Sequence, residues 1–192
     1  MLILRDLEIR TALRRHLLNR SPRPFRIFEE LGIHNGNAVA DIVAVYKDMH
    51  CFEIKGVTDN IRRIPRQAAY YNEAFPKITL VVTQNHIPWC EKNLPPFWGV
   101  MLACCNSELV TFKYVRAARR NPTFNKQKAL MMLWRDELAY IASTVPDLVT
   151  KRSHTREEIA IQLSNVLKKD GALTSIKDAL IKRAGAPTKQ YK

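Results

Sequence analysis

Asp41-Ile42-Val43-Ala44-Val45 and Cys51-Phe52-Glu53-Ile54-Lys55 are two short apolar runs, separated by the polar break Tyr46-Lys47-Asp48-Met49-His50. β-Branched and aromatic residues dominate both runs, so both read as strands, and the break has the length of a hairpin turn. A hairpin centred near Lys47 sets Asp41 opposite Glu53, with Cβ atoms roughly 5 Å apart. Glu53 and Lys55 share a face because side chains alternate along a strand. Upstream, Arg26-Ile27-Phe28-Glu29-Glu30-Leu31 reads as a third strand and His34-Asn35-Gly36-Asn37 as its turn. That register pairs Glu30 with Asp41. Glu30, Asp41, Glu53 and Lys55 are then expected on one face of a three-stranded ribbon.

Unpaired charges are normally kept out of apolar strands because burying them is expensive. Clustered carboxylates repel unless a positive charge sits between them. A divalent cation with oxygen ligands, Mg²⁺ or Mn²⁺, answers that need. The plainer reading is a salt-bridged patch, with Lys55 paired to Glu53 or Asp41.

Asp41…Glu53-Ile54-Lys55 resembles the signature of the PD-(D/E)XK, or restriction-endonuclease-like, nucleases, with Ala40-Asp41 where that family usually has Pro-Asp. The resemblance covers residues 1–115 as helix, three strands, helix and strand. More narrowly, Ala40-Asp41-Ile42, Glu53-Ile54-Lys55, Ile64-Pro65-Arg66-Gln67, Tyr71-Asn72 and Thr79-Leu80-Val81-Val82 look like a small family of bacterial and phage-associated nuclease-like proteins. The resemblance implies metal-dependent phosphodiester hydrolysis, most naturally in DNA. Asp41, Glu53 and the backbone carbonyl of Ile54 would hold the metal. Lys55 would position the attacking hydroxide, and Glu30 would bind a second metal or orient water. It also implies an acid from the first helix near the metal, Asp6 or Glu8, and a Gln and a Tyr, Gln67 and Tyr71, facing the site. Gln67 as a loop cap and Tyr71 as a core residue beside Ala68 and Phe75 are the alternatives.

The segment from Asp6 to Leu18 reads as a helix, with Ile9, Leu13 and Leu17 as its apolar stripe and Pro22 and Pro24 beyond its end. Gly56 allows close backbone approach or a sharp exit from its strand. Pro65 suits a first helical turn, continued from Arg66 to Phe75. Lys77 to Thr83 reads as a buried crossover strand. Phe97 to Ala103 and Glu108 to Phe112 read as further strands, the latter at an edge, with Pro88, Pro95 and Pro96 in loops. His86 and Cys90 alone are a weak zinc signal. Past Val115, one helix is expected over Asn125–Thr144, with Leu130, Leu133, Trp134, Leu138 and Ile141 buried. Another opens at the capping box Thr155-Arg156-Glu157-Glu158, runs to Leu167 and stops at Asp170-Gly171; a last one spans Ser175–Ala184, before a mobile tail.

The chain has 31 basic and 18 acidic residues, a net charge of +13. Residues 1–115 hold 15 basic and 11 acidic residues, a net +4, and residues 116–192 hold 16 and 7, a net +9. A polyanionic partner is the natural inference, with Arg62, Arg63, Arg66, Arg116, Arg119 and Arg120 as candidate phosphate contacts. No apolar run approaches a membrane span, and the N-terminus lacks a signal-peptide core. The four cysteines lack a framework spacing, so reduced thiols in a cytoplasmic protein are expected.

The expectation is therefore an α/β, restriction-endonuclease-like core over residues 1–115, with a basic helical extension over 116–192. Its partner is nucleic acid, DNA before RNA, with no membrane, and a homodimer is open. Two other readings remain: a non-catalytic nucleic-acid-binding protein that keeps the fold, and an interaction module for an acidic protein.

Overall fold

The computed structural model describes residues 4–106 and 109–183. Its centre is a six-stranded sheet whose strands lie side by side in chain order. These are β1 (Arg26–Ile33), β2 (Ala38–Val45), β3 (Met49–Lys55), β4 (Lys77–Val82), β5 (Gly99–Asn106) and β6 (Leu109–Arg116). β1, β2 and β3 form an antiparallel meander. β3, β4 and β5 run parallel. Their crossovers are the helices α2 (Ile64–Ala74) and α3 (Ile87–Asn93). β6 returns antiparallel at the edge.

The sheet is covered on both faces. Helix α1 (Asp6–Asn19) buries Ile9, Leu13 and Leu17, spaced four apart, against Ile42, Ala44, Phe52, Ile54, Val81 and Met101. The opposite face carries α2, α3 and four C-terminal helices: α4 (Lys126–Leu130), α5 (Arg135–Ser143), α6 (Arg156–Val166) and α7 (Lys169–Arg183). Leu130, Leu138, Leu163 and Ile176 share one core with Ile33, Val43 and Leu80. No described helix is long and apolar enough to cross a membrane.

Several local expectations differ from the structure. Pro88 opens α3 instead of marking a loop; a missing N–H costs nothing in a first helical turn. The helix expected over Asn125–Thr144 breaks at Met131–Trp134. There the Glu137 carboxylate takes the Trp134 N–H at 2.7 Å. Arg183 of α7 ion-pairs with Glu137 and donates to the Met132 carbonyl at 3.1 Å. Trp134 is consequently 41% exposed, not part of a buried stripe. The helix from the Thr155 capping box ends at Val166, and Asp170-Gly171 lies inside the first turn of α7. The expected mobile tail lies outside the described residues.

Gly56 is where the fold fixes the start of α1. The Val57 N–H donates to the Leu4 carbonyl at 2.9 Å. A Cβ on Gly56 would lie 2.7 Å from that carbonyl oxygen and 2.9 Å from the Arg5 Cα, both backbone atoms. Gly56→Ala should therefore push the N-terminal segment away and destabilise by about 1–3 kcal/mol. Thermal denaturation should show a fall of roughly 2–4 °C per kcal/mol. An unchanged melting temperature would mean the approach tolerates a methyl group.

Candidate active site

The last bridged pair of β2 and β3 is Ile42–Phe52, which sets Asp41 across from Glu53. Glu53 is 1% exposed. One of its oxygens accepts from Lys55 Nζ at 2.6 Å, and the other lies 2.6 Å from the Tyr71 hydroxyl. Asp41 Oδ2 accepts the backbone N–H of Ile54 at 2.7 Å. That bond satisfies a strand donor just past the bridged part of the ladder, and it holds the carboxylate in place. Burial, then repulsion from Glu53, pushes the Asp41 pKa up to about 7, against the pull of Ile54 N–H and Lys55.

Glu30 does not join them. Its neighbours pair as Glu29–Ile42 and Leu31–Ala40, so the backbone register is the expected one. Its φ is +54°, however, in the left-handed region. Side-chain alternation slips at this point. Phe28 and Leu31 both meet the α2-side core, as do Ala40 and Val43. The Glu30 carboxylate turns outward and accepts from Arg10 Nη1 at 2.8 Å, with its side chain 67% exposed. The role of a second metal ligand is therefore corrected.

Arg10 is the site residue that strand periodicity missed. Its guanidinium bonds Asp6, one turn earlier in α1, at 3.0 Å and approaches Asp41 Oδ1 at 3.5 Å. Burial alone would lower the Arg10 pKa, but Glu30, Asp6 and Asp41 more than offset it and hold it above its ordinary value. The i,i+4 spacing of Asp6 and Arg10, along the flank of the Ile9–Leu13 stripe, was the available signal. Of the two first-helix acids, Asp6 therefore reaches the site. Glu8 points to another surface, beside Thr11 and Val110.

Tyr71 is both core and site. It is fully buried against Phe75 and Trp98, and its hydroxyl lies 2.8 Å from the Val39 carbonyl as well as 2.6 Å from Glu53. One hydroxyl hydrogen cannot serve both acceptors. Given to Val39, it leaves the Glu53 oxygen to a proton or a cation. Burial, then Glu53, raises the Tyr71 pKa and keeps the phenol neutral. Gln67 sits one turn before, its Nε2 3.4 Å from the Tyr71 oxygen, with its buried Oε1 unpartnered.

Arg62, Arg63 and Arg66 are exposed around the start of α2, beside this cluster. Arg116, Arg119 and Arg120 do not form the expected phosphate-facing group. Arg116 donates to the Trp98 and Pro95 carbonyls at 2.8 and 3.1 Å, tying β6 to the β5 approach. Arg120 pairs with Asp170 at 2.9 Å, and Arg119 alone is exposed without an ion pair among the described residues. His86 bonds the Gly56 carbonyl at 2.9 Å, which gives it a structural task away from Cys90.

Among the described residues no three His, Cys, Asp or Glu groups are arranged to hold a metal. The Asp41–Glu53 pair nonetheless suits one Mg²⁺-type cation, which takes one or two carboxylates and completes its shell with water. Lys55 is bonded to Glu53, Arg10 only approaches Asp41 at 3.5 Å, and the free Gln67 oxygen could accept from a water. Ile54 contributes its N–H to Asp41 and stays in register with Val81 of β4.

The raised Asp41 pKa has a sign that can be measured. In the folded protein Asp41 keeps its proton up to about pH 7; in the unfolded chain it loses it near pH 4. The folded state thus binds the extra proton between those values, and stability falls as pH rises through them. Asp41→Asn, which keeps an acceptor for Ile54, should melt higher than the parent above pH 7 and equally below pH 4. The gain has a ceiling of about 4 kcal/mol. Melting curves across pH in EDTA check this, and parallel curves for the two proteins would refute it.

A family model described as bacteriophage P4 protein cII matches residues 4–185. Protein cII of Enterobacteria phage P4 is 25% identical over 179 residues, covering 92% of this chain and 68% of the phage protein. A solved structure of a protein of unknown function from Silicibacter pomeroyi aligns with a TM-score of 0.39 and 16% identity, covering 59% of this chain and 68% of its own.

Proposed function

The chain belongs to the bacteriophage P4 protein cII family, and within it we propose a metal-dependent nuclease with a restriction-endonuclease-like core that hydrolyses phosphodiester bonds in DNA. The observation that carries this reading is the fully buried Glu53 carboxylate facing Asp41, with Lys55 bonded between strand and solvent. A structural salt bridge needs one acid and one base, and here a second acid is kept close at an energetic cost.

Asp41 and Glu53 would hold the cation, and it would supply Lewis-acid charge and a water acidified toward neutral pH. Lys55, its side chain 13% exposed, neutralises Glu53 and would offer the remaining N–H bonds of Nζ to a phosphate oxygen as negative charge grows there. Gln67 Oε1 would accept from the attacking water and orient it. Arg10 holds Asp41 from the α1 side and, with Asp6, keeps the helix against the carboxylates. The chemistry lies within residues 1–115, and the +9 helical part adds general affinity for the polyanion.

One observation favours a different reading. Arg10 already bridges Asp6, Glu30 and Asp41, so the acids have a cation of their own. On that basis the chain would be a non-catalytic nucleic-acid-binding protein that keeps the fold. Cleavage of plasmid and short oligonucleotides in Mg²⁺, Mn²⁺ or EDTA separates the two. Metal-dependent products that vanish in EDTA and in Asp41→Asn support the nuclease. DNA binding with no cleavage under any of these ions supports the accessory role.

Substitution of Arg62, Arg63 and Arg66 by Gln should flatten the salt dependence of duplex binding by up to about three units of log–log slope, roughly 0.9 for each phosphate contact. Arg116→Gln should leave that slope alone and lower the melting temperature, since its bonds are to carbonyls. Titrations at several salt concentrations decide between these roles.

A further inference from the structure

A cavity of about 620 Å³ opens at the opposite end of α1 from the carboxylates, where the helix C-terminus, the β2–β3 turn and β6 meet. Its size suits a small planar ligand. Phe52, 1% exposed, backs its wall, with the His50 ring stacked on it at 4.2 Å between centroids. Phe25 and Tyr114 stand at the mouth, 64% and 40% exposed. Free aromatic faces of this extent are unusual on a soluble surface and mark contact sites when grouped.

The charge around these rings is one-sided. Arg20, Arg23, Lys47 and Lys77 line the cavity, against the single acid Asp48. None of the four forms an ion pair among the described residues. Arg20 lies over the Tyr114 ring at 5.9 Å from its centre. His50 bonds Thr79 Oγ1 at 2.8 Å, and burial, then Lys77, lowers its pKa, so it adds a neutral ring.

We propose that this cavity binds an unpaired base of single-stranded nucleic acid, stacked on Phe25, with the neighbouring phosphates on Arg23, Lys47 and the other rim cations. Aromatic platforms inside a basic groove are how proteins hold single strands, because every base offers a flat face. Bases within a duplex are already stacked and do not reach such a ring. An acidic peptide would satisfy the cations and leave the rings unused. The site is separate from the carboxylates: His50 and Glu53 are three residues apart on β3, roughly 10 Å, and Phe52 and Glu53 point to opposite faces of the sheet. The proposal therefore stands whether or not the protein cleaves DNA.

The test is fluorescence anisotropy in EDTA with a labelled oligothymidylate, an oligouridylate and a duplex of equal length. Phe25→Leu should weaken binding of single strands about five-fold or more, the scale of a lost stacked base, and leave duplex binding unchanged. Phe25→Trp should keep or improve it. Arg23→Gln with Lys47→Gln should flatten the single-strand salt slope by about 1.4 units. EDTA keeps any metal-dependent cleavage out of the assay, so a failed nuclease reading would not disturb this result. Equal single-strand affinity for the parent and Phe25→Leu would overturn the proposal, as would displacement by polyglutamate as effective as by unlabelled oligonucleotide. The relative strength of the thymidylate and uridylate arms assigns DNA or RNA.

Discussion

Glu53→Gln and Asp41→Asn are each expected to lower Mg²⁺-dependent cleavage by about 10³-fold or more, since the charge stabilisation at stake is several kcal/mol and each 1.36 kcal/mol is tenfold. Both replacements keep shape and hydrogen-bonding capacity, so circular dichroism should be unchanged. They differ in what they leave behind. Asp41→Asn removes a repelling carboxylate and keeps an acceptor for the Ile54 N–H. Glu53→Gln leaves Lys55 beside a neutral amide, and Asp41 becomes the nearest acid to balance it. The Asp41 pKa should then fall back toward the usual carboxylate range, which carbon-detected NMR titration would register. Parent-like cleavage by either variant would remove that carboxylate from the chemistry.

Lys55→Ala should reduce single-turnover cleavage by about 10²–10³-fold while duplex affinity stays within a few-fold. The ammonium has two structural consequences that sharpen the experiment. It is the charged partner of a carboxylate that is 1% exposed. Removing it leaves Glu53 buried with only the Tyr71 hydroxyl, so the variant should melt lower in EDTA. Mg²⁺ should restore much of that loss if the cation binds between Asp41 and Glu53. Lys55→Arg should recover stability better than turnover, because a planar guanidinium cannot take the place of a compact ammonium. Loss of DNA binding with turnover intact at saturation would make Lys55 a phosphate contact and nothing more.

The β-hairpin that brings Asp41 to Glu53 was legible because two strand periods and a short turn determine register. The same reasoning placed Glu30 opposite Asp41 in the backbone and failed for its side chain. A left-handed glutamate carries no mark in the sequence, and one such residue redirects the carboxylate to Arg10. Arg10 belongs to a helix on the far face of the sheet, so its local pairing with Asp6 was readable but its reach to Asp41 was not. Tyr71 was readable as core or as facing Glu53, and the structure shows a buried ring whose hydroxyl meets that carboxylate. Arg116 illustrates the opposite error. A basic run suggested phosphate, and two backbone carbonyls claim the guanidinium instead. The split of the helix after Asn125 depends on Arg183, some fifty residues later, so no local pattern announced it.

The sheet also has a consequence for biosynthesis. Each strand pairs with the one made just before it, so the ribosome can deliver the sheet in its final order, without waiting for a distant segment. The face away from α1 is different. Leu31, Ile33 and Val43 share their core with Leu138, Leu163, Ile176 and Leu180, which leave the ribosome only after the whole sheet. Until then this apolar surface lacks part of its cover and is open to association with other nascent chains. A polypeptide released at Val115 would keep that exposure for good, and aggregation in place of a soluble half-protein is its expected fate.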